Sequence, residues 1–487
     1  MKNKFLLLLI IITGFLLRFF YLDKFPLWPD ELASLERASQ LTLPELMREL
    51  KGNQPLYEFF LHFWVRLGDS DFFIRLPSVI FGILGILFLY RMVRDLTGEK
   101  EALLSAVLLT LSPLHVLFSR INRVYSLLTL LVILSWWYLW RWWEKGEKRA
   151  GFYYILFTAL SLYAHFSAYL SFMAQFLWGI VEGGRRKKKK KEWLAFLGVY
   201  SSILFLVLPW LFYSFYQVVK FSTGAKYYSS QAGKILKLMF LPFSLYAGLT
   251  LSPFRLLLII PGVLTLLYIL VKSLSGSRKP LLFLLLWFLI PLFGGWKIPA
   301  VSPKHLIYLL PPLYILISCG VIKMEKKKEM FLLPFFFLPI FVSLGNLYLG
   351  KEYVDASMVT PWERIATFIQ EREKEGEEIW VESNPRFPYG MRVNLFRRYY
   401  KGKLPVLLLP AGTSPDFLLE RKNKMWILLY EGEEREKWEK FLWDKGKISL
   451  YKGFQWEVHT LKGLREGWKN RNKYASFLYH LYLWEKR

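Results

Sequence analysis

The chain has 487 residues, 54% of them hydrophobic and 18% aromatic, with a mean hydropathy of +0.27. Its apolar residues fall in runs near the roughly 20 residues a helix needs to cross hydrocarbon, which excludes an ordinary soluble domain. The net charge of +27 does not denote a nucleic-acid binder: residues 350–487 hold 26 basic and 20 acidic residues, and the excess sits in short connectors between the apolar runs upstream.

Taken in chain order, the runs predict spans at 4–22, 72–90, 101–118, 124–140, 152–164, 166–181, 193–213, 254–272, 280–296, 305–322 and 330–349. The first begins like a signal peptide, but no small-x-small cleavage site follows, so it reads as a retained helix. Residues 55–67 (PLYEFFLHFWVRL) are apolar but short and carry Glu58 and Arg66, as an amphipathic helix at the interface would. The stretch 152–181 is long enough for one helix. Splitting it around Ala164-His165-Phe166 puts the basic clusters Arg141–Arg149 and Arg185–Lys191 on one side, as the positive-inside bias requires. With the amino terminus inside, the inner connectors collect 23 of the 39 basic residues that precede residue 350.

Three long outer segments follow from this topology: 23–71, 214–253 and everything after 349. The tail is charged, with predicted helices at Pro361–Lys374 and Glu433–Asp444, strands at Glu378–Val381, Pro405–Leu409 and Met425–Leu429, and a turn at Asn384-Pro385. The expected organisation is a polytopic α-helical membrane domain, 1–349, and an extracytoplasmic α/β domain, 350–487. Cys319, the one cysteine, lies in an apolar run and reads as a small core residue.

The first outer loop is the most informative stretch, LDKFPLWPDELASLERASQ (22–40). Asp30 and Glu31 follow a Trp28-Pro29 turn. Acids are favourable at a helix amino terminus, which accounts for the pair without any chemistry. A carboxylate at the membrane surface can equally take a proton from an acceptor hydroxyl, and two can share a metal. Downstream come Gln54-Pro55-Leu56-Tyr57, then LHFWVRLGDSDFFIRLPSVIFGILGILFLYRMVRDLTG (61–98), LSPLHVLFSRINRVYSLLTLL (111–131) and a Pro-Lys-His-Leu…Leu-Leu-Pro-Pro run at 303–312. This succession resembles the bacterial members of the protein O-mannosyltransferase family of the GT-C superfamily, whose relatives include enzymes that put aminoarabinose on lipid A. The likeness is strong over 18–135, pattern-level to about 320 and only architectural in the tail.

The resemblance implies a GT-C fold of about eleven transmembrane helices, with juxtamembrane helices in the first outer loop. It implies inverting transfer of a sugar from a polyprenyl-phosphate donor, at the outer face of the cytoplasmic membrane, to an acceptor protein, glycan or lipid. Asp30 matches the family's first-loop catalytic acid, with Glu31 beside it. Arg123 and Lys304 match cations suited to the departing lipid phosphate; the other reading of each is a snorkelling anchor at a helix end. His165 is a further phosphate or metal candidate, and a polar hairpin tip otherwise. Tyr57, His62, Tyr125 and His305 are weaker candidates, and Trp28 and the tyrosines also suit an interface belt. Where many relatives carry a glutamate two residues before the Arg123 position, this chain has Ile121, which leaves a divalent cation on Asp30 and Glu31 open.

A transporter or flippase of lipid-linked sugars is the competing class. It would show inverted repeats or midplane charges, and the sequence has neither. An oligosaccharyltransferase would carry a WWD-type motif in its outer domain, whereas the Trp-Trp pairs here, 136–137 and 142–143, lie at the fourth span. An O-antigen ligase would carry a late, arginine-rich outer loop, which 214–253 does not match.

Overall fold

A computed structural model gives the fold and describes residues 2–50, 53–221, 231–275, 278–298, 301–382, 391–410, 413–420, 424–430, 433–455 and 477–486. The Asn384-Pro385 turn lies outside the described residues. Two compact units divide the chain: Met1–Leu22 with Ser34–Leu347, and Asp23–Ala33 with Tyr348–Arg487.

The first unit is helical. Helix α1 (Lys2–Phe19) is followed by α2 (Pro29–Gln40), α3 (Leu43–Glu49) and α4 (Leu56–Trp64) in the first predicted outer segment. Then come α5 (Asp71–Leu96), α6 (Glu99–Leu111), α7 (Pro113–Phe118), α8 (Tyr125–Trp143), α9 (Lys148–Ala164), α10 (Ala168–Arg185) and α11 (Lys190–Phe221). After α12 (Gln231–Ala247), α13 (Leu256–Leu274) and α14 (Arg278–Lys297), a 3-10 turn, Pro303–Leu309, leads into α15 (Leu310–Ile322), and α16 (Lys326–Leu349) closes the series.

Each predicted span overlaps helical structure. Among the described residues, five helical segments are long and apolar enough to cross a membrane: Asp71–Leu96, Lys190–Tyr216, Leu256–Leu274, Pro303–Ile322 and Lys326–Leu349. The chain is a multi-pass membrane protein. The break expected near His165 is present, between Ala164 and Ala168.

Two expectations need correction. The 101–118 span is two helices, because Pro113 drives Ser112 out of the helical region (φ −60°, ψ 114°) and then starts α7. Segment 214–253 is no plain loop, since it contains the end of α11 and all of α12.

Packing between the helices relies on aromatic stacks and small residues. Trp136 of α8 stacks on Trp287 of α14 at 5.0 Å, and its indole N–H donates to Ser171 Oγ of α10 at 2.8 Å. Ser105 of α6 donates to Ser318 of α15 at 2.9 Å. Buried Arg18 near the end of α1 donates to the carbonyls of Gly14, Thr110 and Leu109 and contacts His115 Nδ1 at 2.8 Å, so the charge is compensated by fixed dipoles. Arg120 reaches the same helix end, giving hydrogen bonds to the carbonyls of Leu17, Arg18, Phe20 and Tyr21.

The second unit is built on a five-stranded sheet. Its strands are β1 (Glu378–Glu382), β2 (Val406–Leu409), β3 (Met425–Tyr430), β4 (Gly446–Gln455) and β5 (Phe477–Lys486), in the order β2-β1-β3-β5-β4. β1 pairs in parallel with β2 and β3, while β5 runs antiparallel to β3 and β4. Helices α17 (Trp362–Gln370), α18 (Met391–Tyr399) and α19 (Glu433–Lys445) accompany it. Trp380, Ile427, Leu429, Trp438, Leu442 and Trp484 form its core. The segment 23–33 is tied to this unit: the Leu27 N–H donates to Tyr399 Oη at 2.7 Å, Lys24 Nζ to the Tyr348 carbonyl at 2.5 Å, and the rings of Phe25 and Tyr353 lie 6.3 Å apart.

Candidate active site

Helix α2 begins as its sequence dictates. Pro29 opens it, Asp30 and Glu31 occupy the first turn, and the Trp28 carbonyl accepts from the amides of Glu31 and Leu32. Glu31 is buried, and its Oε2 accepts from the Trp28 N–H at 2.9 Å, the carboxylate half of a capping box. Its role in the helix start is therefore evident from geometry. Asp30 is partly exposed.

Ser34 begins an ionic cluster in the helical unit. Its hydroxyl donates to Glu58 Oε1 at 2.8 Å and accepts from Arg123 Nη1 at 2.5 Å. Arg37 Nη2 donates to the same Glu58 oxygen at 2.7 Å, and Arg123 Nη1 lies 3.9 Å from it. Arg123 itself is carried by the short loop between α7 and α8. Tyr57 of α4 holds that loop, donating to Asn122 Oδ1 at 2.7 Å, and Ser78 of α5 donates to the Arg123 carbonyl at 3.3 Å. Tyr57 is buried and so braces the loop.

Tyr125, the first residue of α8, joins the loop to a second group. The rings of His165 and His305 lie 6.0 and 6.1 Å from its ring and 4.9 Å from each other, and Lys304 Nζ is 5.9 Å from the tyrosine ring centre. Lys304 and His305 belong to the 3-10 turn before α15; His165 lies in the α9–α10 break. Ser167 fastens the two elements, its hydroxyl donating to the His305 carbonyl at 2.6 Å while its own carbonyl accepts from Tyr308 Oη at 2.7 Å. The Ser167 N–H donates to His165 Nδ1, and the Ser302 N–H to His305 Nδ1. His165 Nδ1 also lies 2.8 Å from the Ser167 hydroxyl, so these contacts fix the orientation of both rings. Burial, then the positive fields of His305, Arg123 and Lys304, hold the His165 pKa well below its ordinary value. Arg123 and Lys304 thus place positive potential beside Tyr125, with the two imidazole rings next to them as polar groups, which is the electrostatics of an anion site.

His62 is placed otherwise. Buried on α4, it donates from Nδ1 to the Ala38 carbonyl at 2.9 Å and accepts from Arg66 at Nε2 at 2.6 Å, so it links α2 to α4. Glu58 went unnoticed as a site residue in the sequence because a lone acid on an apolar helix resembles the polar edge of an interfacial helix. Its pairing with Ser34, Arg37 and Arg123 is visible only once the chain is folded. Among the described residues no group of three His, Cys, Asp or Glu side chains stands together to hold a metal ion, and no step below is routed through one.

The dolichyl-phosphate-mannose-protein mannosyltransferase family model matches residues 52–213, a range that includes Glu58, Arg123 and His165 and begins after Asp30. No curated protein matches the chain in sequence. Among solved structures, ArnT from Cupriavidus metallidurans in the apo state is similar with a TM-score of 0.59 at 11% identity, covering 92% of this chain and 97% of that one. ArnT bound to undecaprenyl phosphate is similar with a TM-score of 0.56 at 11% identity, over 91% of this chain and 96% of that one. The Archaeoglobus fulgidus oligosaccharyltransferase in complex with zinc and sulfate gives 0.50 at 12% identity, over 83% of this chain and 62% of that one. The chain shares the fold of these ArnT structures.

Proposed function

We propose that the protein is an inverting glycosyltransferase that moves a sugar from a polyprenyl-phosphate donor to an acceptor hydroxyl or phosphate at the outer face of the cytoplasmic membrane. The observation that carries this reading is the gathering of Arg123, Lys304, His165 and His305 about Tyr125. A site with two cations and two imidazoles suits a lipid phosphate, and undecaprenyl phosphate is what the similar ArnT structure holds.

Asp30 acts as the base, taking the proton of an acceptor hydroxyl; a phosphate acceptor, already anionic, needs no such step. The acceptor oxygen attacks the anomeric carbon as the bond from that carbon to the phosphate oxygen breaks. Polyprenyl phosphate leaves with the electron pair, and the configuration inverts. Arg123 and Lys304 stabilise the charge that grows on the leaving phosphate, and the neutral imidazole of His165 lines the same site. Glu31 orients Asp30 by fixing the first turn of α2. The sheet-bearing unit lies outside the membrane and meets the acceptor.

Sugar release from a radiolabelled polyprenyl-phosphate sugar, measured with wild type and Asp30→Asn in the same membranes, tests the reading. The expected loss in the variant is about 10²–10⁴-fold, the usual worth of a positioned base. Full sugar release by Asp30→Asn would remove the assigned base. Transport of intact donor with no sugar release would favour the flippase class instead.

A further inference from the structure

We propose that Glu58 is a positioning residue for Arg123, and through it sets the protein's affinity for the lipid phosphate; the inference rests on the reading that Arg123 meets that phosphate.

Glu58 lies on the buried face of α4 beside Tyr57, Leu61 and His62. A carboxylate there costs free energy unless it is paired and hydrogen-bonded. Its Oε1 gathers Ser34 Oγ, Arg37 Nη2 and, at 3.9 Å, Arg123 Nη1. Two guanidinium groups thus share one carboxylate oxygen. The Glu58 charge offsets their mutual repulsion.

The hydrogen bonds also have a defined direction. Ser34 has one hydroxyl proton, and Glu58 takes it, so the serine lone pairs face the Arg123 donor at 2.5 Å. Removing the carboxylate would free the Ser34 hydroxyl to rotate and release Arg123 from its acceptor. The second oxygen, Oε2, is buried and has no hydrogen-bond partner among the described residues. A carboxylate kept for stability alone would be expected to satisfy both oxygens. This one is committed through Oε1 to the two arginines and the serine. The loop that carries Arg123, SRINRV (119–124), has no acid of its own, and Ile121 within it is buried and apolar. Glu58 on α4 brings a negative charge to Arg123 from another element.

The test uses the full-length protein in nanodiscs and undecaprenyl phosphate as the probe, with binding read by native mass spectrometry and folding by thermal unfolding. Arg123→Ala, Glu58→Ala, Glu58→Gln and the Arg123→Ala/Glu58→Ala double variant form a cycle. Glu58→Ala should weaken binding about tenfold, and should weaken it no further in the Arg123→Ala background, as expected for two residues that act as one unit. Glu58→Gln keeps an acceptor for Ser34 and should recover part of the loss. Equal losses from Glu58→Ala in both backgrounds would overturn the proposal, as would wild-type binding by Glu58→Ala beside weakened binding by Arg123→Ala. Unchanged binding by Arg123→Ala would overturn the phosphate reading itself, and the proposal with it. If Glu58→Ala does not fold, Ser34→Ala removes the same connection with little change in volume and should show the same non-additivity; additive loss there would also overturn the proposal.

Discussion

Gly320 offers a sharp test of the helix packing that supports Lys304. A methyl group added at this position of α15 would run into the main-chain carbonyl of Ile269 in α13, with Ile269 Cγ2 only 2.8 Å away. Neither obstacle is the far end of a flexible side chain. The carbonyl belongs to the helix backbone and Ile269 is fully buried, so α13 and α15 would have to move apart. Small residues permit such close helix approach in membranes. Overpacking a site of this kind costs about 1–3 kcal/mol. For a protein of this size, that corresponds to a fall in Tm of roughly 1–3 °C. Gly198 of α11 and Gly345 of α16 provide the controls, because a Cβ at either meets nothing within 4 Å. There the same change should be neutral, or stabilise by about 0.5–1 kcal/mol through the helix preference of alanine. Thermal unfolding of the three Gly→Ala variants in one detergent would decide. A Gly320→Ala protein as stable as the Gly198→Ala and Gly345→Ala proteins would refute the α13–α15 packing described above. Because α15 grows directly out of the turn that holds Lys304, Gly320→Ala should also loosen lipid-phosphate binding.

The remaining predictions concern the anion site and its supports. Arg123→Ala and Lys304→Ala should each weaken undecaprenyl phosphate binding about 10–100-fold, the worth of one charge-assisted hydrogen bond, and the loss should shrink at high salt in an affinity titration. His165 has a folded pKa below its unfolded one, so it disfavours the protonated form; its contribution to stability is complete above about pH 6.5 and declines as pH falls through that value. The Tm advantage of wild type over His165→Gln should therefore narrow between pH 7.5 and pH 5.5, and a gap that widens would contradict the assigned environment. Tyr57→Phe removes the hydrogen bond to Asn122 and should cost about 1 kcal/mol in thermal unfolding, with a smaller loss of lipid binding.

Much of the helical unit was legible because hydrocarbon thickness imposes one length on every span, and the basic connectors decided where 152–181 must break. Ser112-Pro113 could have been read as a break too, but its apolar flanks hid it. In the sheet-bearing unit, β1, β2 and β3 were recognisable as short apolar runs between turn signals. β5 was not: it lies between β3 and β4, and FLYHLYLWEK shows no clean alternation, as expected of a strand with neighbours on both sides. The expected domain boundary near 350 gave no hint that 23–33 would group with the tail, since that association rests on long-range contacts such as Leu27 with Tyr399. At the site, Asp30, Arg123 and Lys304 stood out through the order of motifs around them. Glu58 carried no such local mark. Its meaning lies in Ser34, Arg37 and Arg123, which only the folded chain brings to one oxygen.

The measurement that bears most directly on lipid-phosphate recognition is an experimental structure of the full-length protein with undecaprenyl phosphate. The expected result is a phosphate group within hydrogen-bond reach of the Arg123 guanidinium and Lys304 Nζ, beside Tyr125. A lipid phosphate held elsewhere, with both cations untouched, would contradict the account.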